Sequence, residues 1–217
     1  MTRSTTGGTA GGTTIRRTGE HGLLVETGAL EVSHRLDALL RAARPEGVVE
    51  IVPGPSTVLV VAPGADPGRL RAHLATALES AIHPVTFQDS AAALVTVPVV
   101  YDGADLADVA AETGLSVDEV VARHTGSELV VGWLGFAPGF AYLTGLDPVL
   151  HLPRLDTPRT SVPAGSVAIA GPHAAVYPTA SPGGWRLLGR TDLRIWDVRA
   201  DPPSLFQPGT RVRFEVA

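Results

Sequence analysis

Two side chains capable of proton transfer or anion binding stand beside the region richest in glycine and proline. His124 falls in the last turn of a predicted helix, where the helix dipole favours a protonated imidazole. Arg159 follows Pro158 among small uncharged residues, where a guanidinium can hold a carboxylate or phosphate bidentately. A solvent-facing histidine at a helix end and a surface arginine are the structural alternatives to these two roles.

Residues 132–185 mix glycine and proline with large aromatic side chains and few charges. A packed helix would not tolerate so many helix breakers, and a disordered linker would not carry so many apolar groups. The segment therefore predicts short strands joined by rigid turns around a site. Its aromatic side chains are predicted to form core and pocket wall, namely Phe136, Phe140, Tyr142 and Trp185.

Ser166 and three glycines are further binding candidates in the same region. The segment around Ser166 lacks the Gly-x-Ser-x-Gly spacing of a nucleophile turn, so we predict that its hydroxyl donates or accepts hydrogen bonds. Gly165, Gly183 and Gly184 could let the backbone approach a ligand, or could serve only the corners of a barrel.

Composition excludes several kinds of chemistry. The 217 residues contain no cysteine, and all 17 basic residues are arginine, which removes thiolate chemistry, lysine Schiff bases and the P-loop lysine. The seven histidines have no i,i+3 or i,i+4 pairing, so no protein metal site is predicted. A net charge of −5 gives no excess of positive charge with which to bind nucleic acid or an anionic membrane. We predict a cytoplasmic protein whose residues 1–13 form a mobile tail.

The first part of the chain predicts a two-layer α+β domain at residues 14–90 with the order ββαββα. A hairpin spans 14–27, a helix follows at 30–44, and strands at 48–52 and 57–62 flank a Pro-Gly-Pro turn. Asp66 and Pro67 then predict the start of a second helix.

Residues 91–217 predict a mainly-β domain. A strand at 95–101 precedes a helix at 106–112 closed by Gly114, and a capping-box pattern starts another helix at Ser116. Further strands are predicted at 129–133, 166–170, 186–188, 193–196 and 212–216. Many short strands with Gly/Pro turns favour a barrel or a sandwich.

Three long motifs resemble the family that includes the B subunit of 5-oxoprolinase, KipI and allophanate hydrolase subunit 1. They read GFAPGFAYL at 135–143, PRTSVPAGSVAIAG at 158–171 and YPTASPGGWRLLGRT at 177–191. The chain departs from the family once, where Gly171-Pro172-His173-Ala174-Ala175 replaces a Gly-Gly-Gln-Thr-Gly segment. His173 thus places a titratable ring where the family has an amide, with Tyr177 on the other side of the segment.

The resemblance implies that the second domain is a cyclophilin-like β-barrel. It implies a subunit, inactive alone, of a complex that converts 5-oxo-L-proline to L-glutamate with ATP and Mg²⁺. The partners would be a second cyclophilin-like subunit and a lactam-utilisation subunit. His124 and Arg159 would be catalytic. Substrate would be bound by Phe140, Tyr142, Ser166, His173, Tyr177, Gly183, Gly184 and Trp185. A KipI-like inhibitor of a sensor histidine kinase and a subunit of urea or allophanate metabolism are the alternatives.

Overall fold

The computed structural model describes residues 14–83 and 94–217. The predicted tail at 1–13 lies outside these residues, as does the predicted border between residues 90 and 91. The chain divides into two compact units, Met1–Phe87 and Gln88–Ala217. The domain limits predicted from the sequence stay predictions. Among the described residues, no helix is both long and apolar enough to span a membrane.

The first unit is a four-stranded antiparallel sheet covered by two helices, with the strand order β1-β2-β4-β3. Its elements are β1 (Ile15–Thr18), β2 (Gly22–Glu26), α1 (Leu30–Ala42), β3 (Glu50–Pro53), β4 (Thr57–Val61) and α2 (Pro67–Ile82). The predicted order ββαββα is confirmed.

Local sequence signals explain how α2 begins and which face it buries. The Asp66 carboxylate accepts a hydrogen bond from the Arg69 N–H at 2.7 Å. Pro67 occupies the first turn, where backbone N–H groups have no partner within the helix, so the N–H that proline lacks is not missed. Leu70, Leu74 and Leu78 are buried at a spacing of four residues and face the core of this unit.

The second unit is a mixed seven-stranded sheet that forms a nearly closed barrel, with the order β12-β9-β10-β7-β6-β13-β5. Its strands are β5 (Leu94–Val99), β6 (Leu129–Leu134), β7 (Ala141–Thr144), β8 (Arg159–Val162), β9 (Ser166–Ala170), β10 (His173–Val176), β11 (Ser181–Gly183), β12 (Arg186–Arg190) and β13 (Arg211–Val216). The two sheet edges meet where Val100 and Arg190 exchange two backbone hydrogen bonds of 2.9 Å. Strands β8 and β11 form a separate ribbon.

Two helices precede most of these strands, α3 (Leu106–Thr113) and α4 (Val117–Gly126). Gly114 ends α3 in the left-handed conformation at φ 71°. Ser116 and Glu119 form the complete capping box that the sequence predicted for α4. Helix α4 packs against β13 through its buried residues Val120 and His124.

The strand predicted at 193–196 is wrong. Only Trp196 in this stretch forms a β-bridge, to Ser204, so the segment has no neighbouring strand to form a ladder with. The sequence also missed β7, β8, β10 and β11, which have three to four residues each. Segments this short show too few alternations for the period of a strand to be recognised.

Strand β9 separates two apolar clusters because successive side chains point to opposite faces. Val167 and Ile169 face the barrel interior, where they join side chains such as Leu143 and Phe214. Ala168 belongs to a second cluster on the outer face of the same sheet. This outer cluster carries four of the predicted site residues, Phe140, Tyr142, Tyr177 and Trp185.

Candidate functional site

A continuous set of aromatic rings covers the outer face of the barrel. Phe140 is at its centre, with ring centroids 5.3 Å from Tyr142, 5.3 Å from Tyr177 and 5.4 Å from Trp185. The interplanar angles of these pairs lie between 69° and 88°, which is the edge-to-face geometry that aromatic rings prefer. The structure thus brings together four of the side chains that the sequence placed at the site.

Phe136 forms the solvent-exposed edge of this aromatic surface. Its ring centroid is 5.2 Å from that of Phe140, and the residue is 63% exposed. Its backbone is in the left-handed region, at φ 70°, which is costly for a bulky residue that is not glycine. Hydrogen bonds from the Gly135 N–H to the Phe140 carbonyl and from the Phe140 N–H to the Ala137 carbonyl, both of 3.0 Å, hold the turn.

Arg159, at the start of β8, is paired with a buried carboxylate. Its Nη2 donates to Oδ1 of Asp105 at 2.6 Å, and the Leu187 N–H donates to Oδ2 of Asp105 at 2.7 Å. Both carboxylate oxygens are therefore satisfied, as a buried charge requires. The Nη1 atom of Arg159 is also buried, and it has no hydrogen-bond partner in the structure.

Asp105 was not identified from the sequence. It precedes α3, where an aspartate normally accepts hydrogen bonds from the first helical N–H groups, and no such side-chain bond forms here. Its carboxylate instead holds Arg159 and β12. An aspartate before a helix is so common a cap that nothing in the sequence separates this role from capping.

Gly183 packs directly against Tyr177. A β-carbon at this position would overlap the hydroxyl oxygen of Tyr177. Burial raises the pKa of Tyr177, and a hydrogen bond with the Trp185 backbone and the charges of Arg154 and Arg159 partly counter that rise. Gly184 has a different role, since its carbonyl accepts the Leu155 N–H at 2.7 Å.

The segment before β8 is fixed against the aromatic surface by Arg186. This largely buried side chain donates from Nε to the Pro153 carbonyl at 3.0 Å and from Nη1 to Glu112 at 2.5 Å. The residue after Pro153 is Arg154, which lies over the Trp185 ring with its guanidinium carbon 5.9 Å from the ring centroid.

His173 extends the aromatic surface at its other end. Its ring lies edge-on to Trp133 at 5.1 Å and to Tyr142 at 5.8 Å. Burial lowers its pKa, although a hydrogen bond with the Leu143 backbone opposes that shift, and its Nδ1 is buried without a partner. The residue that departs from the family pattern therefore lies beside the motif residues in space as well as in sequence.

His124 lies apart from this surface, sealed between α4 and the barrel. The residue is fully buried, its Nδ1 shares a 2.7 Å hydrogen bond with the Tyr101 hydroxyl, and its ring stacks on Phe214 at 4.4 Å. Burial lowers its pKa to about 3, so the expectation that the helix dipole keeps it protonated is wrong. Its catalytic role stays a prediction.

Ser166 is buried at the start of β9, where its carbonyl accepts the Tyr177 N–H at 2.9 Å. No group of three or more histidine, cysteine or carboxylate side chains in the described ranges could hold a metal ion. The substrate-binding roles predicted for these residues, like the absence of a protein metal site, stay predictions.

The chain belongs to the family described as carboxyltransferase domain, subdomain C and D, whose model matches residues 13–206. A curated protein from Escherichia coli O157:H7, named as the B subunit of 5-oxoprolinase, is 44% identical over 176 residues, which are 77% of each chain. A protein of the same name from Bacillus subtilis (strain 168) is 46% identical over 124 residues, covering 56% of this chain and 52% of that one.

Solved structures agree with the fold. That of TTHA0988 matches with a TM-score of 0.78 at 36% identity over 91% of this chain, and this chain spans 40% of that one. The urea carboxylase of Kluyveromyces lactis matches with a TM-score of 0.69 at 22% identity over 94% of this chain and 22% of its own, which shows the fold alone. Family membership predicted from the three sequence motifs is confirmed.

Proposed function

We propose that this chain is a subunit of an ATP-dependent 5-oxoprolinase, which opens the lactam of 5-oxo-L-proline to L-glutamate. The observation that carries the proposal is the 44% identity, over 77% of both chains, to a curated protein named as the B subunit of this enzyme. The first and third of the motifs that indicated the family supply the Phe140, Tyr142, Tyr177 and Trp185 rings of the outer aromatic surface, so we place the site on that face of the barrel.

The chemistry of a lactam explains what such a site must supply. An amide is a poor electrophile, and phosphorylation of its carbonyl oxygen by ATP turns that oxygen into part of a good leaving group. A site of this kind needs fixed hydrogen-bond donors and cations where negative charge develops. The Nη1 of Arg159, buried and without a partner, is such a donor, and the Asp105 pairing fixes its direction.

We infer that part of the machinery comes from other chains. ATP cleavage requires groups that hold Mg²⁺ and neutralise the transferring phosphoryl group. The described residues offer no cluster of three metal-binding side chains, and the sequence has no lysine. In this proposal the chain is inactive alone, and a second cyclophilin-like subunit and a lactam-utilisation subunit complete the site in the cytoplasm.

The test is reconstitution from purified subunits. We expect no 5-oxoproline-dependent ATP hydrolysis from this chain alone and restored hydrolysis, with glutamate as product, when both candidate partners are added. Turnover by the isolated chain would disprove the proposal that it needs partner subunits for activity. A stable complex without turnover would disprove the enzymatic proposal and direct attention to the KipI-like alternative.

A further inference from the structure

Arg154 is an exposed cation with an aromatic support and no counter-charge. Its guanidinium carbon lies 5.9 Å from the centroid of Trp185, and Trp185 itself is buried among the other rings. Within the described ranges, no carboxylate lies within ion-pair distance of Arg154. A cation–π contact with an indole orients the guanidinium and leaves its N–H donors free for an anion.

Arg159 brings a second set of donors to the same part of the surface. In the β8–β11 ribbon, Arg159 lies opposite Gly183, two residues from Trp185. The Leu155 N–H bonds to the Gly184 carbonyl, which holds the chain next to Arg154 against this segment. Both arginines therefore lie beside residues 183–185.

The state of Arg159 also indicates a missing partner. One of its two terminal nitrogens is committed to Asp105, whereas Nη1 is removed from water with nothing to bond. A buried donor of a charged group without a partner costs free energy, and a bound anion would recover it. The positive charges of Arg154 and Arg159 both oppose the rise in the pKa of Tyr177, which agrees with the two side chains lying on the same part of the surface.

We propose that Arg154 and Arg159 form a two-arginine subsite that binds an oxyanion beside residues 183–185, with Asp105 as the positioning residue. The anion is a carboxylate or a phosphate group. Under the proposed function, on which the choice of ligands rests, these are the carboxylate of 5-oxo-L-proline and the phosphates of ATP.

The test is equilibrium binding to the full chain by isothermal titration calorimetry. The probes are 5-oxo-L-proline, its uncharged carboxamide and inorganic phosphate. Arg154→Gln is the principal variant, because the side chain is exposed and its loss leaves no buried charge behind. Arg213→Gln, on the exposed face of β13, removes the same charge elsewhere. Arg159→Lys is the second site variant, since it keeps a cation beside Asp105.

We expect one of the two anions to bind and the carboxamide not to. Loss of a charge-assisted hydrogen bond should weaken binding about tenfold or more in Arg154→Gln and Arg159→Lys, and Arg213→Gln should bind like the parent chain. The inference is overturned if neither anion binds, if the carboxamide binds equally well, or if Arg154→Gln matches Arg213→Gln. Reconstituted turnover is measured separately. An active complex, formed with a chain that by itself binds no anion, would refute the subsite and leave the proposed function standing.

Discussion

His124 should make the stability of this protein depend strongly on pH. The folded state keeps the imidazole neutral, because burial lowers its pKa to about 3, whereas in the unfolded chain its pKa returns to about 6.5. Below about pH 6.5 the unfolded state therefore binds a proton that the folded state does not. Stability contributed by neutral His124 is present above that pH and is lost as the pH falls towards the folded pKa.

The size of this effect follows from the unfolded pKa. At pH 5 the ring is still neutral in the folded protein, while the unfolded chain is about 1.5 pH units below its own pKa. Each such unit corresponds to about 1.4 kcal/mol, so the protein should lose about 2 kcal/mol of stability between pH 7 and pH 5 through this residue. The same loss is expected for any folded pKa well below 5.

The assay is urea unfolding at both pH values for the parent chain, for His124→Gln and for the exposed-site control His73→Gln. Glutamine can still bond to the Tyr101 hydroxyl but cannot titrate, so its loss of stability between pH 7 and pH 5 should be smaller by about 2 kcal/mol. The control should behave like the parent. An equal pH dependence in His124→Gln would refute the reasoning. Turnover of the reconstituted complex containing this variant separates a catalytic histidine from a core residue.

Three further outcomes follow from the structure. Arg159→Lys should lower kcat/KM of the reconstituted complex although the charge is kept, because the planar fork between Asp105 and the free Nη1 is lost; unchanged kinetics would remove Arg159 from the site. Gly183→Ala should destabilise the chain by about 1–3 kcal/mol in thermal unfolding, and adding Tyr177→Phe should recover part of the loss by removing the overlapping oxygen. Ser116→Ala should cost about 1 kcal/mol by the same measurement, since it removes the cap of α4, and no loss would show that the box is dispensable.

Signals confined to a few neighbouring residues were predictable from the sequence. The caps at Asp66 and Ser116 and the left-handed Gly114 lie where the sequence predicts them, because each depends on a bond within one turn of a helix. The aromatic side chains of the candidate site also lie together on the outer face of the barrel, in a segment whose glycines and prolines favour strands and turns over a helix.

Placement that depends on distant partners was not predictable. The salt bridge between Asp105 and Arg159 joins residues from different elements, and neither residue type indicates the other. For His124 a signal existed: Val120 lies four residues before it, so the two share one face of α4 and are buried together. The helix dipole acts at the end of the helix, whereas burial of the ring depends on the face of the helix on which it lies.

The pairing of β5 with β13 determines when the barrel can fold. Leu94 is opposite Arg211 in parallel register, so almost the whole second unit lies between two strands that must lie side by side. Contacts so far apart in sequence require a large loop to close before any stabilisation is gained, which slows folding. On the ribosome, β5 emerges well before β13 and has no partner on that edge in the meantime. During that interval its unpaired edge is exposed to other chains, so aggregation competes with folding until β13 has been synthesised.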